Sequence, residues 1–133
     1  MMIVPKSVTG VLLSLAVSAT ITPALTDATD YFFEPVNVEV RNAPGSEIAV
    51  RLIHRPSGRP VAGAVIFRTK LDMSSANMSS MAAKVVAVSS SEPGIYKFRA
   101  DFTMAGSWAL ELAAQVPGEN ESVEDRVIFR AND

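Results

Sequence analysis

The feature that most constrains this chain is a period of two in its apolar residues, carried in short runs that Pro, Gly, Asn and Ser close off at regular intervals. Alternation at that period sends successive side chains to opposite faces of a strand, so each run has one face to bury and one for water. Tyr31 to Arg41 sets Val36, Val38 and Val40 against Asn37, Glu39 and Arg41, and Asn42-Ala-Pro-Gly45 turns the chain. Ser46 to His54 places Ile48, Val50 and Leu52 inward. Arg55-Pro-Ser-Gly-Arg-Pro60 is a turn, because proline lacks the N–H a central ladder needs and glycine accepts a positive φ. Val61 to Asp72 extends next, with Val65, Phe67 and Leu71 on one face, and Ala82 to Val88 returns. After the Ser89-to-Gly94 turn, Tyr96, Phe98 and Phe102 oppose Lys97, Arg99 and Asp101, and Met104 continues the aromatic parity. Trp108, Leu110, Leu112 and Ala114 form the inward face of the following run, and Val127 and Phe129 that of the last, Val123 to Arg130. About seven such strands, with no helical period between them, describe an all-β, immunoglobulin-like antiparallel β-sandwich.

The first residues read differently. Lys6 precedes an apolar stretch from Val8 to Ala19, too short for a bilayer core of about 30 Å but matched to the apolar segment of a secretory signal. Small residues at Ala19, Ala24 and Ala28 offer cleavage points. The expected organisation is a signal peptide over 1–28, its cleavage point approximate, and one β-sandwich domain over 29–133, with no membrane insertion after cleavage. A single domain of that size buries enough apolar surface to fold alone. With no cysteine, it has neither disulfides nor thiolate ligands, so any metal site must use Met, His, carboxylate or backbone oxygen. A formal net charge of −2 gives no electrostatic reason to bind nucleic acid.

Three methionines fall in one Ser-rich segment, Leu71-Asp-Met-Ser-Ser-Ala-Asn-Met-Ser-Ser-Met81. A polar segment of this kind has no packing need for three flexible thioethers, whereas Cu(I) and Ag(I) prefer such soft donors. The segment reads as a loop leaving the strand that ends near Asp72. Sulfurs at positions 73, 78 and 81 can face one point if it makes a helical turn. Met104 is a candidate fourth ligand, since hairpin geometry can bring it under the same loop. The competing reading is that Met73, Met78, Met81 and Met104 fill gaps over the end of the sandwich. His54, the sole histidine, reads as a polar strand-end residue; it is a ligand only if its end of the strand shares the methionine pole. Asp72 either offers an oxygen or caps the segment by an Asx-type hydrogen bond, and the cap is the simpler reading. Trp108 reads as core.

Enzyme chemistry is not expected. One histidine, no cysteine, no Gly-x-Ser-x-Gly elbow and no carboxylate pair in an apolar setting leave no nucleophile, base or hydrolytic zinc set.

At Glu92-Pro-Gly-Ile-Tyr-Lys-Phe98, Met104-Ala-Gly-Ser-Trp-Ala-Leu110 and Pro60-Val-Ala-Gly-Ala-Val65, together with the methionine segment, the chain resembles the YtkA-like (FixH-related) family of small exported β-sandwich proteins. The resemblance implies a periplasmic location and an association with heavy-metal efflux pumps or with copper supply and oxidase assembly. The expected function is thus a periplasmic accessory protein that binds Cu(I) or Ag(I) through Met73, Met78, Met81 and Met104, with a membrane efflux pump or oxidase assembly protein as partner. The alternative is a structural adaptor that binds a membrane partner protein through an exposed edge strand or the polar loop, without metal.

Overall fold

The structure, a computed structural model, describes residues 28–133. The expected signal peptide therefore lies outside the described residues. Two five-stranded sheets face each other. The first has the order β1 (Tyr31–Pro35), β3 (Ser46–His54), β8 (Ile95–Ala100), β7 (Val85–Val88), with the two-residue β4 (Arg59–Pro60) pairing the end of β3. The second has the order β2 (Glu39–Arg41), β10 (Val123–Asn132), β9 (Gly106–Gln115), β5 (Val65–Met73), β6 (Met78–Ala83). This is the all-β sandwich that the alternation predicts, in immunoglobulin-like order.

The inward parity holds where the runs are regular. Ile48, Val50 and Leu52 from β3, Phe98 from β8, Trp108, Leu110 and Leu112 from β9, and Val127 and Phe129 from β10 are all buried between the sheets. Each such large side chain contributes about 1.5–3 kcal/mol by leaving water, which is what holds a cysteine-free sandwich together. Trp108 stacks edge-on against Phe102 at 5.5 Å, and its indole Nε1–H donates to the Met104 carbonyl at 2.9 Å. That bond fastens the corner between β8 and β9, as a tyrosine hydroxyl does at the equivalent corner of many immunoglobulin domains.

Three parts of the expected pattern are corrected. The run from Tyr31 to Arg41 is two strands: β1 pairs β3, the chain crosses between sheets at Val36–Val38, and β2 then runs parallel to β10. Val38 lies at the crossing and is exposed, so it is not inward. Second, a bulge between Ile66 and Arg68 interrupts the pairing of β5 with β9, which turns Val65 and Phe67 out to solvent while Leu71 stays buried. Third, Ala82 to Val88 is not one strand. β6 ends at Ala83 in one sheet, and β7 begins at Val85 in the other.

Candidate metal centre

The methionine segment is a tight hairpin rather than a loop. Met73 ends β5, Ser74–Ala76 makes one 3-10 turn, Asn77 takes the left-handed conformation at φ 60°, and Met78 opens β6. Polar residues pin the turn to its sheet. The Ser74 N–H donates to Asp72 Oδ1 at 3.0 Å, Arg126 Nη2 donates to Ser74 Oγ at 2.8 Å, and the Ser75 and Ser107 hydroxyls meet at 2.9 Å. Asp72 thus caps the turn, the simpler of its two expected roles, and Lys70 Nζ approaches its other oxygen at 3.4 Å. Hydrogen bonds from Ser74 hold the Asp72 carboxyl below its ordinary pKa against the opposing effect of burial, with Lys70 adding to the depression. A buried, ionised, fully engaged carboxylate of this kind fixes the turn.

The hairpin also brings two of the methionines into register. Met73 and Met78 are direct cross-strand partners, a position at which Cα atoms stand about 4.5–5.5 Å apart. The next pair in register is Asp72 with Ala82, so Ser79, Ser80 and Met81 bulge out of β6 beside that couple. Met104 belongs to the turn that leads into β9. A Cβ placed on Gly106 would stand 2.9 Å from Met73 Cε, so the Met73 methyl reaches under that turn. All four methionines therefore occupy one pole of the sandwich.

Their exposures differ. Met73 is 1% exposed and belongs to the core, Met81 is partly buried against the core, and Met78 and Met104 are 37% and 40% exposed. The inward parity expected of Met104 does not hold for its side chain; its buried contribution is the carbonyl that receives Trp108. Of the four thioethers at this pole, one is buried, one half-buried and two exposed. Among the described residues, no three His, Asp or Glu side chains gather as a metal site.

His54 lies at the other pole. It ends β3 opposite Tyr31, whereas the Ser46 end of that strand pairs with Ala100, just before the Met104 turn. Eight residues at about 3.3 Å each put roughly 25 Å between the two ends. Its Nδ1 contacts Ser57 Oγ at 2.7 Å and its ring packs against Tyr31. It therefore does not join the methionines.

Sequence reasoning missed the parts that make the pole work mechanically. Ser74, Ser75 and Ser107 look like generic loop polarity until the register brings them together, and Gly106 looks like a turn residue. Its φ of 136° and its contact with Met73 give it a second role, one that no local pattern signals.

Among known proteins, no curated one matches this chain. A solved structure, that of the Yersinia pseudotuberculosis adhesin InvE, is similar at 15% identity and a TM-score of 0.42, covering 79% of this chain and 27% of the adhesin. This chain thus corresponds to a minor part of that protein. The family profile described as YtkA-like matches residues 26–113, from ahead of β1 to late in β9 and well over half of the sequence, and the chain accordingly belongs to the YtkA-like family.

Proposed function

We propose that this is an exported accessory protein that holds Cu(I) or Ag(I) at the methionine pole and passes it to a membrane efflux pump or an oxidase assembly protein. The observation that carries the reading is the register of the β5–β6 hairpin, which pairs Met73 with Met78 directly and sets Met81 in the adjoining bulge. The contact between the Met73 methyl and Gly106 extends the cluster to the Met104 turn. Neutral, soft thioethers suit monovalent copper or silver, and they hold these ions where thiolates would be oxidised.

The exposure gradient gives a handling mechanism. Met78 and Met104 at the rim capture the ion, Met73 and Met81 complete its coordination from below, and a partner's donor replaces the rim sulfurs one at a time. Ligand exchange of this kind needs no proton and no redox step. The periplasmic location rests on the apolar leader and on the family resemblance, which also supplies the association with efflux and copper supply.

Competitive Cu(I) titration tests the reading. Leucine keeps the bulk of methionine and removes the sulfur, so changing Met73, Met78 and Met81 together to Leu should abolish binding while metal-free stability changes little. Met104→Leu alone should weaken it. Native binding should persist at pH 5, because thioethers do not titrate, and should be unchanged by His54→Ala. Equal affinity in the triple variant and the native protein would reject the methionine site.

A further inference from the structure

The row beside β5 is only half filled. β6 covers Leu71, Asp72 and Met73, but the chain leaves that sheet at Lys84 and crosses to the other, where Val85 pairs Ala100. Among the described residues, no strand pairs with that side of Val65–Lys70. Six residues of free ladder match the length of an ordinary strand. Exposed edges of this length invite strand addition, and proteins usually cover them.

The space behind this edge is open as well. Ala87 pairs with the buried Phe98 and shares its inward face, yet Ala87 is exposed, and among the described residues no strand lies between β7 and the free half of β5. A slot of about 410 Å³ opens at the Ile66 end of this edge, between Ala87 and Val88 and the 90–98 hairpin, with Glu92 and Lys97 of opposite charge also on its wall. On the outer side of the same edge stand Arg68 and Lys70, with Lys84 at the crossing. Arg68 and Lys70 pair with Glu124 and Asp72 but remain 62% and 60% exposed, so their charge is still available to a neighbour. Val65 and Phe67 are 64% and 56% exposed on this edge.

We propose that the free half of β5 is a docking edge for an extended segment of a partner protein that alternates apolar and acidic residues. Added beside Val65–Lys70, such a segment continues the row of β6. Its inward side chains enter the slot toward Ile66 and Ala87, and its outward carboxylates stand across from Arg68 and Lys70. The pleat dictates that alternation. A second copy of this chain offers these cations no carboxylate, because antiparallel pairing over the whole edge sets Arg68 opposite Phe67 and Lys70 opposite Val65. The edge meets the methionine hairpin only at Lys70, whose ammonium also pairs with Asp72, and no step of this inference uses a bound metal.

The test uses the purified protein and two synthetic eight-residue peptides, one alternating Val and Glu and the other Val and Lys. The acidic peptide should bind saturably and about tenfold or more tighter than the basic one, as two cross-strand charge pairs of either sign imply. Amide shifts and slowed hydrogen exchange should concentrate in Val65–Lys70 and around Ala87. Arg68→Glu combined with Lys70→Glu should reverse the peptide preference, and if that variant does not fold, the Gln pair should abolish the preference. Shifts spread over all basic residues, an unchanged preference in the variants, or no saturable binding would each overturn the proposal. So would sedimentation showing that the protein dimerises through this edge.

Discussion

Gly106→Ala is expected to destabilise the protein by about 2–6 kcal/mol, and the cost should divide into two separable parts. At φ 136° a side-chain-bearing residue is strained whatever space surrounds it, at about 1–3 kcal/mol. The added Cβ also lies 2.9 Å from Met73 Cε, and Met73 is 1% exposed, so its methyl has little room to retreat. Overpacking of that kind costs a further 1–3 kcal/mol or so. Leucine lacks the atom that corresponds to Cε. In a Met73→Leu background the second part should therefore disappear while the first remains, a coupling of about 1–3 kcal/mol between the two positions. Urea unfolding followed by Trp108 fluorescence measures all four corners of the cycle, since Trp108 is fully buried two residues away. If Gly106→Ala costs the same in both backgrounds, the Met73 methyl does not sit under the Met104 turn, and the convergence of the methionines on one pole fails with it.

Other consequences follow from the same geometry. The Asp72 carboxyl is held below the usual pKa, so its stabilising effect is complete above the unfolded value of about 3.9 and is lost as pH falls through the lower folded value; Asp72→Asn should flatten that acid limb in pH-dependent urea midpoints. Tyr96 donates to the Val61 carbonyl at 2.7 Å and accepts the Ala64 N–H at 3.0 Å, so Tyr96→Phe should cost about 1–3 kcal/mol and speed amide exchange through the 61–64 segment.

Most of the core was legible because the strands of β3, β8, β9 and β10 keep an alternation whose inward residues are buried, although Ile53, Ala109 and Ala113 on the opposite parity are buried as well. The failures lie where that alternation breaks. Nothing in Val65-Ile-Phe-Arg68 announces a bulge, and one extra residue is enough to send Val65 and Phe67 to the wrong face. Val38 fails for a related reason: the alternation runs on through Val36-Asn-Val while the backbone is changing sheets. At the candidate site, the residues were visible but their arrangement was not. A polar segment with three thioethers looks like a loop, yet Met73 is a core residue because β5 continues one position past Asp72 before the turn. The Asp72 cap was legible, since an Asx-type bond to the residue two positions on is a local matter. The separation of His54 from the methionines was not, because it depends on the direction in which β3 runs between its neighbours.

X-ray absorption at the copper edge, on the purified protein loaded with one equivalent of Cu(I), tests the central claim most directly. The pole described here predicts a first shell of sulfur alone, unchanged between pH 5 and 7 and lost when Met73, Met78 and Met81 are replaced together by Leu. A first shell dominated by nitrogen or oxygen, or a sulfur shell that survives the triple replacement, would contradict it.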